Sequence, residues 1–415
     1  MHAELIAVGA ELTSGHTINT NATYLARRLQ KLGIICRRHV AVGDDPAEIV
    51  DALNEAMRRA SLVIVTGGLG PTFDDLTMEA IAQATGRRLV QVPAVAARIR
   101  QFYRRHHRRL NRLALRQALL PEGGHALPNP DGTAPGLWLS LDETVLVALP
   151  GVPREMRAIM EQSVLPRLRR RAGAAQAILS RTIRTVGLVE LQIQEMLRRM
   201  TIPSSVQIGL YPHLMMVDVR FTATDSSAPR AASSLNRLER ELRRRVGEAV
   251  YGLDEQTLEE AVGAVLQRRH FTLAVAESCT GGLVSDQLTN VPGSSAYFLL
   301  SVVAYHNRAK QKLLGVSQQL LSRHGAVSAP VARAMAQGVR AKAGADLGLA
   351  ITGIAGPSGG TKQKPVGLVY VALADRRRTA VKRFLFPGDR LAIKQRTCQM
   401  ALDWLRRFTL SQHSP

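Results

Sequence analysis

The stretch AVAESCTGGLVS, Ala274 to Ser285, places an acid, a hydroxyl, a thiol, a second hydroxyl and two glycines directly behind a short apolar run. A run of that length ended by a glycine pair reads as a buried strand leaving through a tight turn into a helix. Two readings of the turn follow. Ser278 or Thr280 caps the helix by accepting from its first free N–H groups. Alternatively, a nucleophile is held at the strand-to-helix junction. Either way a strand, a turn and a helix follow one another, and that passage is the repeating unit of an α/β fold.

The passage recurs on the N-terminal side. IAVGA is followed by the helical pattern NATYLARRLQKLG, then IICRRHVAV, the helix PAEIVDALNEAMRRA and the buried run SLVIVTGG. This βαβα order predicts a mostly parallel sheet covered on both faces. A basic helical segment is expected over Ala94 to Leu120, then turn-rich PNPDGTAPG and the paired strands GLWLSL and TVLVALPG. The helix PREMRAIMEQSVLPRLRRR closes the unit near Arg171. From about residue 180 the order changes to β-α-β-β-α: RTIRTVGL, VELQIQEMLRRM, VQIGLYP, MMVDVRFTAT and a helix through ASSLNRLERELRRRVGEAV. LEEAVGAVLQRR and FTLAVAES open a third unit. With 415 residues, too many for one ordinary core, the chain is expected to be an α/β multidomain protein. The expected parts are an α/β sandwich over 1–171, a small α+β module over 172–255 and a second α/β domain over 256–415.

The hydrophobic share of 46% suffices for packed cores, and no apolar run approaches the roughly 20 residues that span a bilayer. MHAELIAVGAEL lacks the layout of a secretory signal and reads as a first strand. Three cysteines, Cys36, Cys279 and Cys398, show no metal-ligand spacing, which points to a reducing cytoplasm. The formal charge of +22 comes largely from arginine runs: Arg104 to Arg109, Arg167 to Arg171, Arg237 to Arg245 and Arg376 to Arg378. They are scattered and have few aromatics among them. Solvated helix faces explain them better than a nucleic-acid surface, with attraction of small anions as an added effect.

Four patches of the third unit bear chemistry. ESCTGG holds Ser278; SVVAYHNRAKQKLLGV holds Tyr305 and Lys310; LAITGIAGPSGG is a strand with a loop of small residues; FPGDR supplies Arg390. Taken singly, Ser278 reads as a cap and Lys310 as a surface lysine. No Lys-Ser/Thr pair follows GIAGPSGG, so it is not a P-loop, and ESCTGG is not a G-x-S-x-G elbow. Together they suit acyl transfer from an amide on a nucleotide-like molecule. A lysine neutralised by burial can activate the serine. The N–H groups of Thr280, Gly281 and Gly282 can stabilise an oxyanion. The glycine loop, including Gly353 and Gly356, can bring amides to a phosphate that Arg390 holds bidentately. Cys279 is the rival nucleophile.

In the first unit, VTGGLGPTFDDLT combines a strand, the turn Gly67-Gly68-x-Gly70 and the acids Asp74 and Asp75. Such glycines let the chain approach a phosphate, and paired carboxylates can hold a divalent cation. Asp75 reads equally as the cap of the next helix. Glu11, Asn19 and Asn21 follow the first strand, at the carboxyl ends where α/β sheets bind ligands.

From about Leu258 to Arg407 the chain resembles the nicotinamide-nucleotide amidases that form the C-terminal domain of the CinA (competence/damage-inducible) family. The resemblance rests on AVAESCTGG, VPGSSAYF, VVAYHNRAK, HGAVSAPVARAMA, AITGIAGPSGGTKQKPVGLVYVA and FPGDR. It implies hydrolysis of the carboxamide of nicotinamide mononucleotide to nicotinate mononucleotide and ammonia, without a cofactor. It further implies a serine, Ser278, working with Lys310 and assisted by Tyr305, Thr352 and Arg390. Met1 to about Arg169 resembles the molybdopterin-binding domain of molybdenum-cofactor biosynthesis proteins, and more closely the N-terminal CinA domain, on VTGGLGPTFDDLT, PNPDGTAPG and LPGVPREM. That implies divalent-metal-dependent cleavage of ADP-ribose to AMP and ribose 5-phosphate at Gly67, Gly68, Gly70, Asp74 and Asp75. Ala10 and Arg154 stand where the family usually carries small hydroxyl residues. The middle unit resembles the family's KH-like module but has no GXXG loop flanked by basic residues, so a spacer is expected. A homodimer is implied as well.

The expected function is pyridine-nucleotide salvage with two active sites, binding small nucleotides rather than nucleic acid or membrane. Two rival readings remain at this level: a nucleic-acid-associated competence factor using the basic segments, and a molybdopterin-binding protein without hydrolase activity.

Overall fold

A computed structural model describes residues 1–107, 109–172 and 177–411. Arg108 of the RRHHRR run therefore lies outside the described residues, as do 173–176 beside the expected boundary at 171. The chain divides into two compact units: Met1–Leu179 with Thr224–Ala231, and Ser180–Ala223 with Ala232 onward. Among the described residues no helix is long and apolar enough to cross a membrane.

The first unit is built on a six-stranded sheet in the order Ile35–Val42, His2–Val8, Leu62–Thr66, Val145–Leu149, Gly136–Ser140, His125–Leu127. The first four strands pair in parallel and the last two pairings are antiparallel. Leu62–Thr66 and Val145–Leu149 are buried throughout because both sheet faces are covered, as their unbroken apolar runs predict. One face packs on Thr20–Gln30 and the C-terminal helical segment, the other on Pro46–Arg59 and Thr77–Ala84.

Two expectations in this unit need correction. The segment Ala94 to Leu120 is not one helix. It ends at Arg105, His107 takes a left-handed conformation, and a short 3-10 segment over Arg112–Ala118 restarts behind the Asn111 cap. The closing helix is interrupted as well, by a π turn at Met160–Val164. Pro166 follows at once; it has no N–H to give to the preceding turn, so the hydrogen-bond register widens ahead of it.

The middle module, most of it in the second unit, forms a four-stranded sheet in the order Val206–His213, Met216–Asp225, Ala177–Val186, Val250–Leu253. The last strand lies beyond the β-α-β-β-α pattern read from the sequence. The five-stranded sheet has the order Phe298–Val303, Leu273–Glu277, Leu347–Gly353, Leu368–Ala374, Thr379–Leu385. Its first three strands are parallel and the rest antiparallel. Leu258–Arg269 and Arg390–Ser411 pack on one face and Ala329–Ala343 on the other. Val186 and Tyr251 of the middle module enter the core of the five-stranded sheet, and Arg406 donates to the Glu248 carbonyl and to Asp403. The middle module thus shares hydrophobic contacts with the domain that follows it.

Candidate active sites

The carboxyl ends of the three parallel strands Leu273–Glu277, Phe298–Val303 and Leu347–Gly353 lie side by side, the usual place for a ligand in such a sheet. Ser278 follows the first strand, and Ala304 and Tyr305 the second. Lys310 is one turn into the helix Asn307–Leu314. Its stem is only 1% exposed, and its Nζ lies 3.1 Å from Ser278 Oγ, 2.7 Å from the Ala304 carbonyl and 3.1 Å from the Tyr305 carbonyl. Burial holds the Lys310 amine below the usual lysine value. A neutral amine has two N–H bonds and one lone pair. Two carbonyls take the N–H bonds, which leaves the lone pair for the serine hydroxyl.

Glu277, next to Ser278 and fully buried, has a role that the sequence motifs do not reveal. Its carboxylate accepts from the N–H groups of Gly282 (3.0 Å), Val284 (3.2 Å) and Ser285 (2.9 Å), and from the Ser285 hydroxyl (2.6 Å). The Ser285 hydroxyl also meets Ser301 of the neighbouring strand. The carboxylate therefore neutralises the start of the helix Leu283–Thr289 and folds residues 278–282 into a closed turn. This corrects the expected oxyanion donors. The Gly282 N–H belongs to Glu277, and the Gly281 N–H turns back to the Ser278 carbonyl at 3.2 Å. Thr280 keeps a free N–H among the described residues, and its buried hydroxyl has no partner. Gly281 and Gly282 both have positive φ, which the tight turn demands.

Cys279 points the other way. It is buried in the core against Gly353, where a Cβ would come within 3.0 Å of its sulfur, and burial pushes its thiol up to about 12. A side chain at Gly353 would crowd that sulfur, so glycine is required beside the cysteine. Thr352 is buried, and its hydroxyl donates to the Ala326 carbonyl at 2.9 Å. Arg390 donates to the Gly356 carbonyl and to the Tyr305 hydroxyl, each at 2.7 Å. Tyr305 thus reaches Lys310 through its main chain, while its phenol meets Arg390. His306 only caps its helix, its Nδ1 accepting from the Arg308 N–H.

In the first unit, Gly67 has a φ of +99°, and a Cβ there would come within 2.2 Å of the Val8 carbonyl. Only glycine fits. At Gly68 and Gly70 a Cβ would meet Thr77 Oγ1 and the Asp75 carboxylate, each at 2.3 Å. Asp74 and Asp75 both accept from the Thr72 hydroxyl, and Asp75 also accepts from the Thr72 N–H at 2.9 Å. The Thr72 bond lowers the Asp74 pKa. Asp75 is not the cap of the next helix, since Leu76 holds that position. Asn19 caps Thr20–Gln30 through the Ala22 N–H, which accounts for it structurally. Asn21 donates to the Gly151 carbonyl at 2.7 Å, while its buried carbonyl oxygen lacks a partner. Glu11 folds against Gly9. Arg154 forms a paired contact with Asp131 of PNPDG, at 3.1 and 3.3 Å.

Among the described residues no three His, Cys, Asp or Glu side chains cluster as a metal cage. Asp74 and Asp75, sharing one hydroxyl and carrying no arginine or lysine partner, instead suit a hard cation that keeps waters and takes its other ligands from phosphate.

Family models match three stretches: a probable molybdopterin binding domain over 4–170, the damage-inducible protein CinA KH domain over 180–252 and the CinA C-terminal domain over 255–409. A putative competence-damage inducible protein of Moorella thermoacetica is 44% identical over 412 residues, covering 99% of this chain and 100% of its own. The chain belongs to the CinA family. A CinA-like protein of Geobacter sulfurreducens is also 44% identical over 412 residues, with the same coverage. Among solved structures, a CinA protein of Thermoplasma acidophilum is 37% identical, covering 39% of this chain and 94% of its own, with a TM-score of 0.37. A competence/damage inducible protein of Agrobacterium tumefaciens is 37% identical over 37% of this chain and 94% of its own, with a TM-score of 0.36. The CinA-family architecture thus covers all three parts of the chain.

Proposed function

We propose that this CinA-family chain hydrolyses the carboxamide of nicotinamide mononucleotide, giving nicotinate mononucleotide and ammonia. The observation that carries the reading is the buried Lys310 amine at 3.1 Å from Ser278 Oγ, with its other two directions filled by carbonyls. Lys310 takes the Ser278 proton as Oγ attacks the carboxamide carbon. The oxyanion that forms is met by the free Thr280 N–H. The lysine returns its proton to the departing nitrogen, the C–N bond breaks, and ammonia leaves an ester on Ser278. Water then attacks that ester, with Lys310 as base again, and frees the acid and the serine. Arg390, which donates to the Tyr305 hydroxyl, keeps further N–H donors for an anionic group.

The test is ammonia release from nicotinamide mononucleotide by the purified chain, with Ser278→Ala alongside. Release by the parent and none by the variant supports the reading; equal release by both overturns the serine mechanism.

We also propose, for the first unit, hydrolysis of ADP-ribose to AMP and ribose 5-phosphate at the Gly67–Asp75 loop. Asp74 and Asp75 would hold a divalent cation there, whose charge would offset that developing on the diphosphate. The glycine turn leaves the main chain open to phosphate. AMP production from ADP-ribose with added magnesium or manganese tests this reading, and metal-independent production would overturn it.

A further inference from the structure

Arg390 and Lys394 stand at i and i+4 in the first turns of Arg390–Ser411, so both cations lie on one helix face. Like charges at that spacing work against the helix. Three helical arginines elsewhere in this chain pair with an acid one turn away: Arg59 with Glu55, Arg243 with Glu239 and Arg245 with Glu241. The pair at 390 and 394 has none. Arg390 donates only to an uncharged carbonyl and a phenol. Lys394, half-buried, makes no hydrogen bond or ion pair among the described residues. The nearest acid in sequence, Asp389, is occupied by the Ala392 N–H.

The position of Lys394 is informative. Its Nζ lies 3.6 Å from where a Cβ on Gly281 would stand, so the ammonium rests against the turn that carries Ser278. Arg390 meanwhile touches Tyr305, whose carbonyl holds Lys310. Two uncompensated cations are thus fixed against the two segments that bring the nucleophile and its base together.

We infer that Lys394 and Arg390 together form the phosphate subsite of the amidase pocket, and that Lys394 sets its preference for a pyridine ribotide over the uncharged riboside. The inference rests on the deamidase reading. A phosphate monoester carries close to two negative charges near neutral pH. Arg390 supplies a planar fork and Lys394 a compact point charge, so the pair matches the dianion in charge. Arg390 carries a single positive charge and would alone leave half of the dianion's charge unmatched, and two of its N–H groups are already engaged.

Lys394→Met in the full chain keeps the aliphatic stem and removes the charge. Ammonia release from nicotinamide mononucleotide and from nicotinamide riboside is measured for parent, Lys394→Met and Lys394→Arg. Inorganic phosphate binding is measured by calorimetry. The expected result is a KM for the ribotide raised roughly 10- to 100-fold with kcat nearly unchanged. Riboside turnover should stay as in the parent, phosphate binding should weaken, and Lys394→Arg should recover most of the loss. An equal fall in kcat for both substrates would place the ammonium on the oxyanion and overturn the subsite, as would no change at all. If the parent releases no ammonia from either substrate, the deamidase reading fails by itself. The subsite is then decided by calorimetry: phosphate binding weakened by Lys394→Met sustains it, and undiminished or absent binding overturns it.

Discussion

Around the Lys310 nitrogen every direction is accounted for, and its behaviour on titration follows. Burial without a carboxylate partner disfavours the ammonium, so the amine loses its proton below the usual 10.5. Ammonia release should therefore rise with pH and level off once the amine is neutral, with an inflection below 10.5. The same lowering means the unfolded chain binds more protons in that window, so stability is lost as pH falls through the native value. Lys310→Met should reduce kcat by about 10²- to 10⁴-fold and flatten the pH profile. Ser278→Ala should reduce it by at least about 10³-fold, whereas Cys279→Ala should leave the chemistry intact. At this scale the sequence was legible where motifs were long and ordered, because the resemblance to the CinA C-terminal domain pointed to both Ser278 and Lys310, which lie 32 positions apart. It could not show that Tyr305 serves Lys310 through a carbonyl, because side-chain identity carries no signal for main-chain contacts.

Elements set what those residues can do. The helix Leu283–Thr289 begins on the Glu277 carboxylate, not on a ligand, and this fixes the turn between them. Glu277→Gln would turn an amide NH₂ toward N–H donors and leave at least one unpaired, costing about 1–3 kcal/mol. We expect a melting temperature lowered by several degrees and a kcat reduced about tenfold or more, with the inflection of the pH profile unmoved; an unchanged kcat would limit Glu277 to stability. The acid directly before the glycine turn was visible in ESCTGG. Its reach to positions 282, 284 and 285 was not, because that depends on how the turn closes. Strands were the most legible elements, their buried runs giving Leu62–Thr66 and Leu273–Glu277 directly. The arginine-rich stretch after Ala94 misled because its helical pattern continues past the left-handed residue that ends the helix.

At the scale of the molecule, the two proposed chemistries occupy separate compact units. Asp74→Asn with Asp75→Asn should abolish metal-dependent AMP formation while ammonia release stays at the parental rate. Loss of both activities would show that the units depend on each other. The basic surface is partly neutralised in place: Arg243, Arg245, Arg376 and Arg378 each face a carboxylate. Titration with a labelled duplex at physiological salt should give binding no tighter than about 10⁻⁶ M, the non-specific range. The three thiols share one condition that extends beyond the proposed site at Ser278. Burial raises Cys36 to about 11, Cys279 to about 12 and Cys398 further still. A thiol that does not ionise is a poor target for peroxide or alkylating agents. With the Ser278 hydroxyl rather than a thiol as the proposed nucleophile, ammonia release should survive peroxide treatment that silences cysteine-dependent enzymes.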